Sequence, residues 1–151
     1  MKTTSIKKVL IATDYSETAK TVVNKGYSLA KAMNAETILL HIISEYPVYY
    51  SGYSYMSDLH VEPNSDSRKY SEDYLKKLKK HLGDDSIITM VKDGVDIART
   101  ILQTGKELDV DLIVLGSHSR KWLENIIMGS EVEEVLRKTT IPLYIIPTKK
   151  S

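Results

Sequence analysis

The chain has 151 residues, 42% of them hydrophobic and 27% charged, with 21 lysines and arginines against 20 aspartates and glutamates. That is the composition of one globular domain spanning residues 1–151, and its balanced charge excludes the broad basic footprint that nucleic acid or an anionic membrane surface requires. The absence of cysteine excludes disulfides and thiolate metal sites and makes the cytoplasm the expected location; the basic start, Met1 to Lys8, precedes an apolar run too short for a signal-peptide core or a membrane span.

Val9-Leu10-Ile11-Ala12 is a continuous apolar run stopped by Thr13-Asp14 and reads as a buried parallel strand. From Glu17 to Met33 apolar residues recur at helical spacing through Ala19, Val22, Val23 and Ala30, with Ser16 in front as the N-cap. Thr37 to Ile43 and Ile87 to Val91 are further β-branched runs that read as strands two and three. Between them, Ser67 to Leu82 predicts an amphipathic helix with Tyr70, Tyr74, Leu75, Leu78 and Leu82 on one side and Lys76, Lys77, Lys79 and Lys80 mainly facing solvent. Asp93-Gly94 reads as a break, followed by a helix from Val95 to Leu108 and a fourth strand, Leu112 to Gly116. A polar loop and the apolar stretch Trp122 to Met128 lead to Gly129-Ser130 and a helix from Glu131 to Lys138. Pro142 to Pro147 closes the chain as a fifth strand, and its two prolines confine it to an edge, which makes it a candidate dimer edge.

Strands alternating with helices of this length predict an α/β fold, an open parallel sheet with helices on both faces. Ligands in such sheets bind at the carboxyl ends of the strands, which directs attention to Asp14, to His41–Ser44 and to Gly116 onward. The stretch from Gly116-Ser117-His118-Ser119-Arg120 to Gly129-Ser130 has the makings of a phosphate cradle, because glycines before a helix N-terminus let an anion approach unpaired backbone N–H groups. Equally, Gly116 can simply end a strand while Ser130 caps a helix. Asp14 likewise suits helix entry, since Asp-x-Ser before a helix is good capping chemistry. The histidines, His41, His60, His81 and His118, are scattered and lack metal-ligand spacing; His41 reads as a strand-end residue and His118 as a loop residue. Tyr46, Tyr49, Tyr50, Tyr53 and Tyr55 crowd the segment after strand two, where they would form a lid, a partner surface or a loop packed on its own domain.

Leu115 to Arg120, Met128-Gly129-Ser130, Glu134 to Arg137 and Ile141-Pro142-Leu143 together closely resemble the C-terminal signature of the universal stress protein family. Val9 to Ser16, His41-Ile42, Gly94 to Ile101 and Asp111 to Gly116 match its earlier segments in order, so the resemblance covers nearly the whole chain. It implies a flavodoxin-like, three-layer, five-stranded parallel sheet in the order 3-2-1-4-5 and a homodimer through the fifth strand. One branch of the family binds ATP or AMP and another does not. In the binding branch the pattern is Gly, two residues, Gly, nine residues, Gly, then Ser or Thr. Carried over, Gly116 would approach ribose and phosphates, Gly129 and Ser130 would hold phosphate, Asp14 beside Thr13 would bond ribose, and the backbone near Ile42 would meet adenine. His118, Ser119, Arg120 and Glu131 complete the candidate site, the last with Mg²⁺ as a possible bridge.

Ser119 stands where the second glycine of that pattern belongs. If the position needs a left-handed backbone, serine costs roughly 1–2 kcal/mol; if it needs only proximity, the hydroxyl can donate to phosphate. Ser130 and Glu133 also have capping-box spacing, and carboxylates at a helix N-terminus compete with phosphate for its positive end. Three functions follow: an adenine-nucleotide-binding stress or signalling protein, an interaction protein with an unknown protein partner and no nucleotide, and a slow ATP hydrolase. The last has only Asp14, Glu131 and His118 as candidate groups.

Overall fold

The structure is a computed structural model that describes residues 5–44, 65–117 and 130–148. Strands and helices alternate through them: β1 (Lys8–Ala12), α1 (Ala19–Ala32), β2 (Glu36–Ser44), α2 (Ser65–Leu82), β3 (Ile88–Gly94), α3 (Ile97–Glu107), β4 (Leu112–Gly116), α4 (Ser130–Lys138) and β5 (Leu143–Ile146). The strands form one parallel sheet in the order β3-β2-β1-β4-β5, the order the resemblance implied.

The central position of β1 follows from its apolar run. Val9, Leu10 and Ile11 are completely buried, with a strand on either side and helices above and below. Successive strand residues point to opposite faces. Val9, Ile11, Leu39 and Val114 accordingly meet Val22, Val23, Leu75 and Leu78 of α1 and α2. Leu10, Ile38, Leu40, Ile113 and Leu115 meet Ala98, Ile101, Leu102 and Val135 of α3 and α4. Each such fully buried aliphatic side chain stabilises the fold by roughly 1.5–3 kcal/mol relative to exposure. The helices stop where a residue takes the left-handed conformation, Asn34 after α1, Gly83 after α2 and Asp109 after α3. The next amide then reaches back into the helix, Ala35 N to Ala30 O and Val110 N to Gly105 O.

Several boundaries differ from the sequence expectation. The first helix begins at Ala19, and Thr18 rather than Ser16 is its N-cap residue, because the Ser16 amide is drawn to Asp14 Oδ1 at 2.8 Å and the segment between makes a separate turn. Asp93-Gly94 does not break the chain: β3 runs through both, held by the register Ile43↔Asp93 and Ser44↔Gly94. The third helix starts at Ile97, capped by Asp96, whose Oδ1 accepts the Arg99 amide at 3.1 Å. The fourth includes Ser130 as its first residue. Tyr70, placed by its spacing on the apolar side of α2, is 65% exposed, since α2 meets the core through Leu75 and Leu78 while Tyr70 packs edge-on against the Tyr15 ring. The stretch Trp122 to Met128 and the tyrosines from Tyr46 to Tyr55 lie outside the described residues.

Candidate functional site

At the carboxyl edge of the sheet β1 and β4 part. They pair from Val9↔Leu112 to Ile11↔Val114, after which Ala12 remains paired only with Leu40 of β2. This is the topological switch point of the sheet, where successive connections leave in opposite directions. A cavity of about 100 Å³ lies there, walled by Ala12, Thr13, Asp14, Ile42, Ile101 and Gly116, among others. Gly116 keeps this wall low by necessity: a Cβ on it would sit 2.7 Å from Val22 Cγ2.

The loop after β1 is held from the side away from α3. The Thr13 amide continues the sheet ladder to Leu40 O at 2.9 Å. The Thr13 carbonyl accepts from His41 Nδ1 at 3.0 Å, which fixes the proton on that nitrogen because a carbonyl can only accept. The Asp14 carbonyl accepts from Tyr74 Oη at 2.7 Å and from Thr13 Oγ1 at 3.2 Å. Tyr15 Oη lies 2.5 Å from Ser71 Oγ, and Ser71 Oγ donates to the Ser67 carbonyl, so the tyrosine is the donor between them. The aromatic rings pack together as well: Tyr15 to His41 at 4.3 Å between centroids, Tyr15 to Tyr74 at 4.8 Å and Tyr15 to Tyr70 at 5.4 Å.

His41 is not at a strand end. It sits within β2 opposite Val91, and only 6% of it is exposed. Burial pushes its pKa below the ordinary histidine value, partly offset by the Thr13 carbonyl and the nearby Asp14 charge, so the ring is a neutral donor at physiological pH. Burial likewise raises the Tyr74 hydroxyl above the usual phenol value and keeps it protonated. Thr148, buried beside the position a Gly116 Cβ would take, has a hydroxyl with no hydrogen-bond partner among the described residues.

Of the residues expected to form the site, Thr13, Asp14, Ile42 and Gly116 line this one cavity. Ser130 and Glu131 open α4, and their side chains, like those of the Ser130–Glu133 capping pair, lie outside the description. His118, Ser119, Arg120 and Gly129 lie outside the described residues. Ser16, Thr18, Ile97 and Ile101 are further wall residues absent from the sequence expectation. The helical apolar stripe that carries Ile97 and Ile101 was visible in the sequence, but its direction toward the carboxyl edge was not. Among the described residues there is no group of three or more His, Asp or Glu suited to a metal ion, and no helix is long and apolar enough to cross a membrane.

An open parallel sheet flanked by helices, with a cleft where its central strands part, is a doubly wound α/β architecture, in which ligands, where bound, sit at the carboxyl ends of the strands. The model of the universal stress protein family matches residues 5–147, and the chain belongs to that family. It is 28% identical to universal stress protein MJ0577 of Methanocaldococcus jannaschii over 96% of this chain and 97% of the relative. The solved structure of MJ0577 superposes with a TM-score of 0.72, covering 98% of this chain and all of the other at 27% identity. A universal stress protein solved in complex with cAMP shares the fold at a TM-score of 0.65 and 18% identity, over 97% of this chain and 100% of that one. The Archaeoglobus fulgidus protein in complex with dAMP does so at 0.60 and 16%, with the same coverage.

Proposed function

We propose that this protein binds an adenine nucleotide, ATP or AMP, at the parting of β1 and β4, and that occupancy rather than turnover is its activity in stress response or signalling. The observation that carries this reading is the convergence of Thr13, Asp14, Ile42 and Gly116 on one cavity. These residues supply a carboxylate, an apolar wall and a side-chain-free approach, which match a ribose, a base and a phosphate chain respectively. Adenine mononucleotides bound to two proteins of the same fold support the ligand class. A ligand that prefers one conformation of the surrounding loops shifts the population toward it and so alters what a partner meets.

The same reading takes the working unit to be a cytoplasmic homodimer paired along β5, whose outer edge has no strand neighbour among the described residues and carries Tyr144 at 41% exposure. Sedimentation as a monomer at micromolar concentration would remove that part. The rival reading, an interaction protein without nucleotide, is favoured by the size of the cavity: about 100 Å³ between described residues, against roughly 300–1,000 Å³ for a typical small-molecule pocket.

Mass spectrometry of any nucleotide released from the purified protein, followed by thermal denaturation with and without ATP and Mg²⁺, separates the two. Saturation at 100 times the dissociation constant adds about 2.7 kcal/mol. Copurified nucleotide or a clear ATP-dependent rise in melting temperature is the expected result. A folded protein with neither is the interaction protein.

A further inference from the structure

Both backbone carbonyls of the Thr13–Asp14 turn are engaged, that of Thr13 by His41 from β2, itself a wall residue of the cavity, and that of Asp14 by Tyr74 from α2. The Asp14 carboxylate remains: Oδ1 accepts the Ser16 amide, and among the described residues Oδ2 accepts no hydrogen bond. Tyr74 itself does not line the cavity. It neighbours Leu75, which is completely buried and anchors α2 to the sheet together with Leu78, so its hydroxyl is delivered from a rigid base. Its ring also packs edge-on against Tyr15, the next residue of the loop.

From this geometry we infer that Tyr74 is a positioning residue for the ligand: its hydroxyl, through the Asp14 carbonyl, fixes the turn that holds the Asp14 carboxylate ready for the hydroxyls of a ribose. The inference rests on the nucleotide reading and adds to it a specificity, for ribose over sugars lacking those hydroxyls. Preorganisation of this kind raises affinity by removing the need to order the loop on binding. A loop released from Tyr74 keeps its sequence and its wall position but samples orientations in which Asp14 misses the sugar.

The test compares Tyr74→Phe with Tyr27→Phe, which deletes an equivalent hydroxyl bonded at 2.6 Å to Asp84 Oδ2, a residue outside the cavity wall. Calorimetric titration with ATP and with 2′,3′-dideoxy-ATP gives the readout. Tyr74→Phe weakens ATP binding about fivefold, the worth of one hydrogen bond, and leaves the dideoxy nucleotide nearly unchanged, so discrimination collapses. Tyr27→Phe lowers the melting temperature without changing the ratio of the two affinities. Equal weakening of both nucleotides by Tyr74→Phe, or of neither, overturns the inference. If the wild-type protein binds neither nucleotide, the nucleotide reading fails and with it the ribose specificity. The positioning of the turn is then decided by hydrogen exchange at the Ser16 amide: faster exchange in Tyr74→Phe upholds it, and unchanged protection overturns it.

Discussion

Two aspartates, one at each end of the central strand pair, receive backbone amides, and they do opposite things to the fold. At the amino end Asp111 Oδ2 accepts both the Lys7 and the Lys8 amide, at 2.8 and 3.0 Å, while its own amide donates to the Lys8 carbonyl at 2.9 Å. Lys8 Nζ adds a bond to the Leu108 carbonyl at 3.2 Å, and the start of β1 is sewn to the start of β4. At the carboxyl end Asp14 accepts one amide, that of Ser16 in its own turn, and the turn leans on β2 and α2 rather than on β4. The same carboxylate chemistry closes one end of the sheet and leaves the other parted. What decides between them is whether the carboxylate reaches across to the neighbouring strand or folds back on its own turn.

The contrast breaks most visibly at Asp111. Asp111→Ala leaves two amides without their acceptor, and hydrogen bonds to a charged group are worth roughly 1.5–3 kcal/mol. The expected loss is about 2 kcal/mol of stability, read from the urea midpoint, with the ATP dissociation constant unchanged. A loss of affinity equal to that of an Asp14 variant would mean that the two ends are coupled rather than separate.

Asp14 inverts the balance. Asp14→Asn keeps an oxygen for the Ser16 amide, with a charged hydrogen bond reduced to a neutral one, and so costs about 1 kcal/mol or less. Its effect on ATP is the larger one: a charge-assisted hydrogen bond becomes a neutral one of roughly half the strength. Affinity therefore falls while the urea midpoint moves little. Stability lost without affinity would make Asp14 a turn residue only.

The strands were legible because burial on both faces leaves an unbroken apolar run, as at Val9–Ala12 and Leu112–Gly116, and these runs sit where their pattern put them. Helix starts were less legible because side chains compete for the same amides. Ser16 has the chemistry of an N-cap, but Asp14 takes its amide and Thr18 takes its hydroxyl at 3.0 Å. The strand partner of Gly94 lies fifty residues away in sequence, so the dipeptide Asp93-Gly94 reads locally as a stop that the sheet overrides. Of the fourteen described wall residues, Thr13, Asp14, Ile42 and Gly116 were readable from motif order. Its support was not, because Tyr74 and Asp14 are 60 residues apart and a tyrosine on a helical apolar stripe looks like core. His41 had the same fault: a lone histidine in a strand gives no local sign that a carbonyl from β1 will meet its ring.

The smallest expected effect bears on that histidine and sharpens the view of the carboxyl end as the conditional one. Its pKa is lowered in the folded protein, chiefly by burial, so between the folded value and about 6.5 the unfolded chain binds the extra proton and the folded chain does not. Stability therefore rises with pH across that window and is level above it, at a slope below about 1.4 kcal/mol per pH unit. Asp14, whose charge and whose position beside Thr13 oppose the shift, narrows the window. Urea denaturation of the wild type and of His41→Gln from pH 4 to 8, roughly the range in which an unperturbed or depressed histidine titrates, isolates the contribution as the difference between the two curves. The amino end, where Asp111 faces backbone amides and Lys8, contributes nothing to that difference. A difference curve that is flat from pH 4 to 7 would mean that folding leaves the ring's pKa unshifted, and one that falls with rising pH would mean that the folded state favours an imidazolium donating to the Thr13 carbonyl.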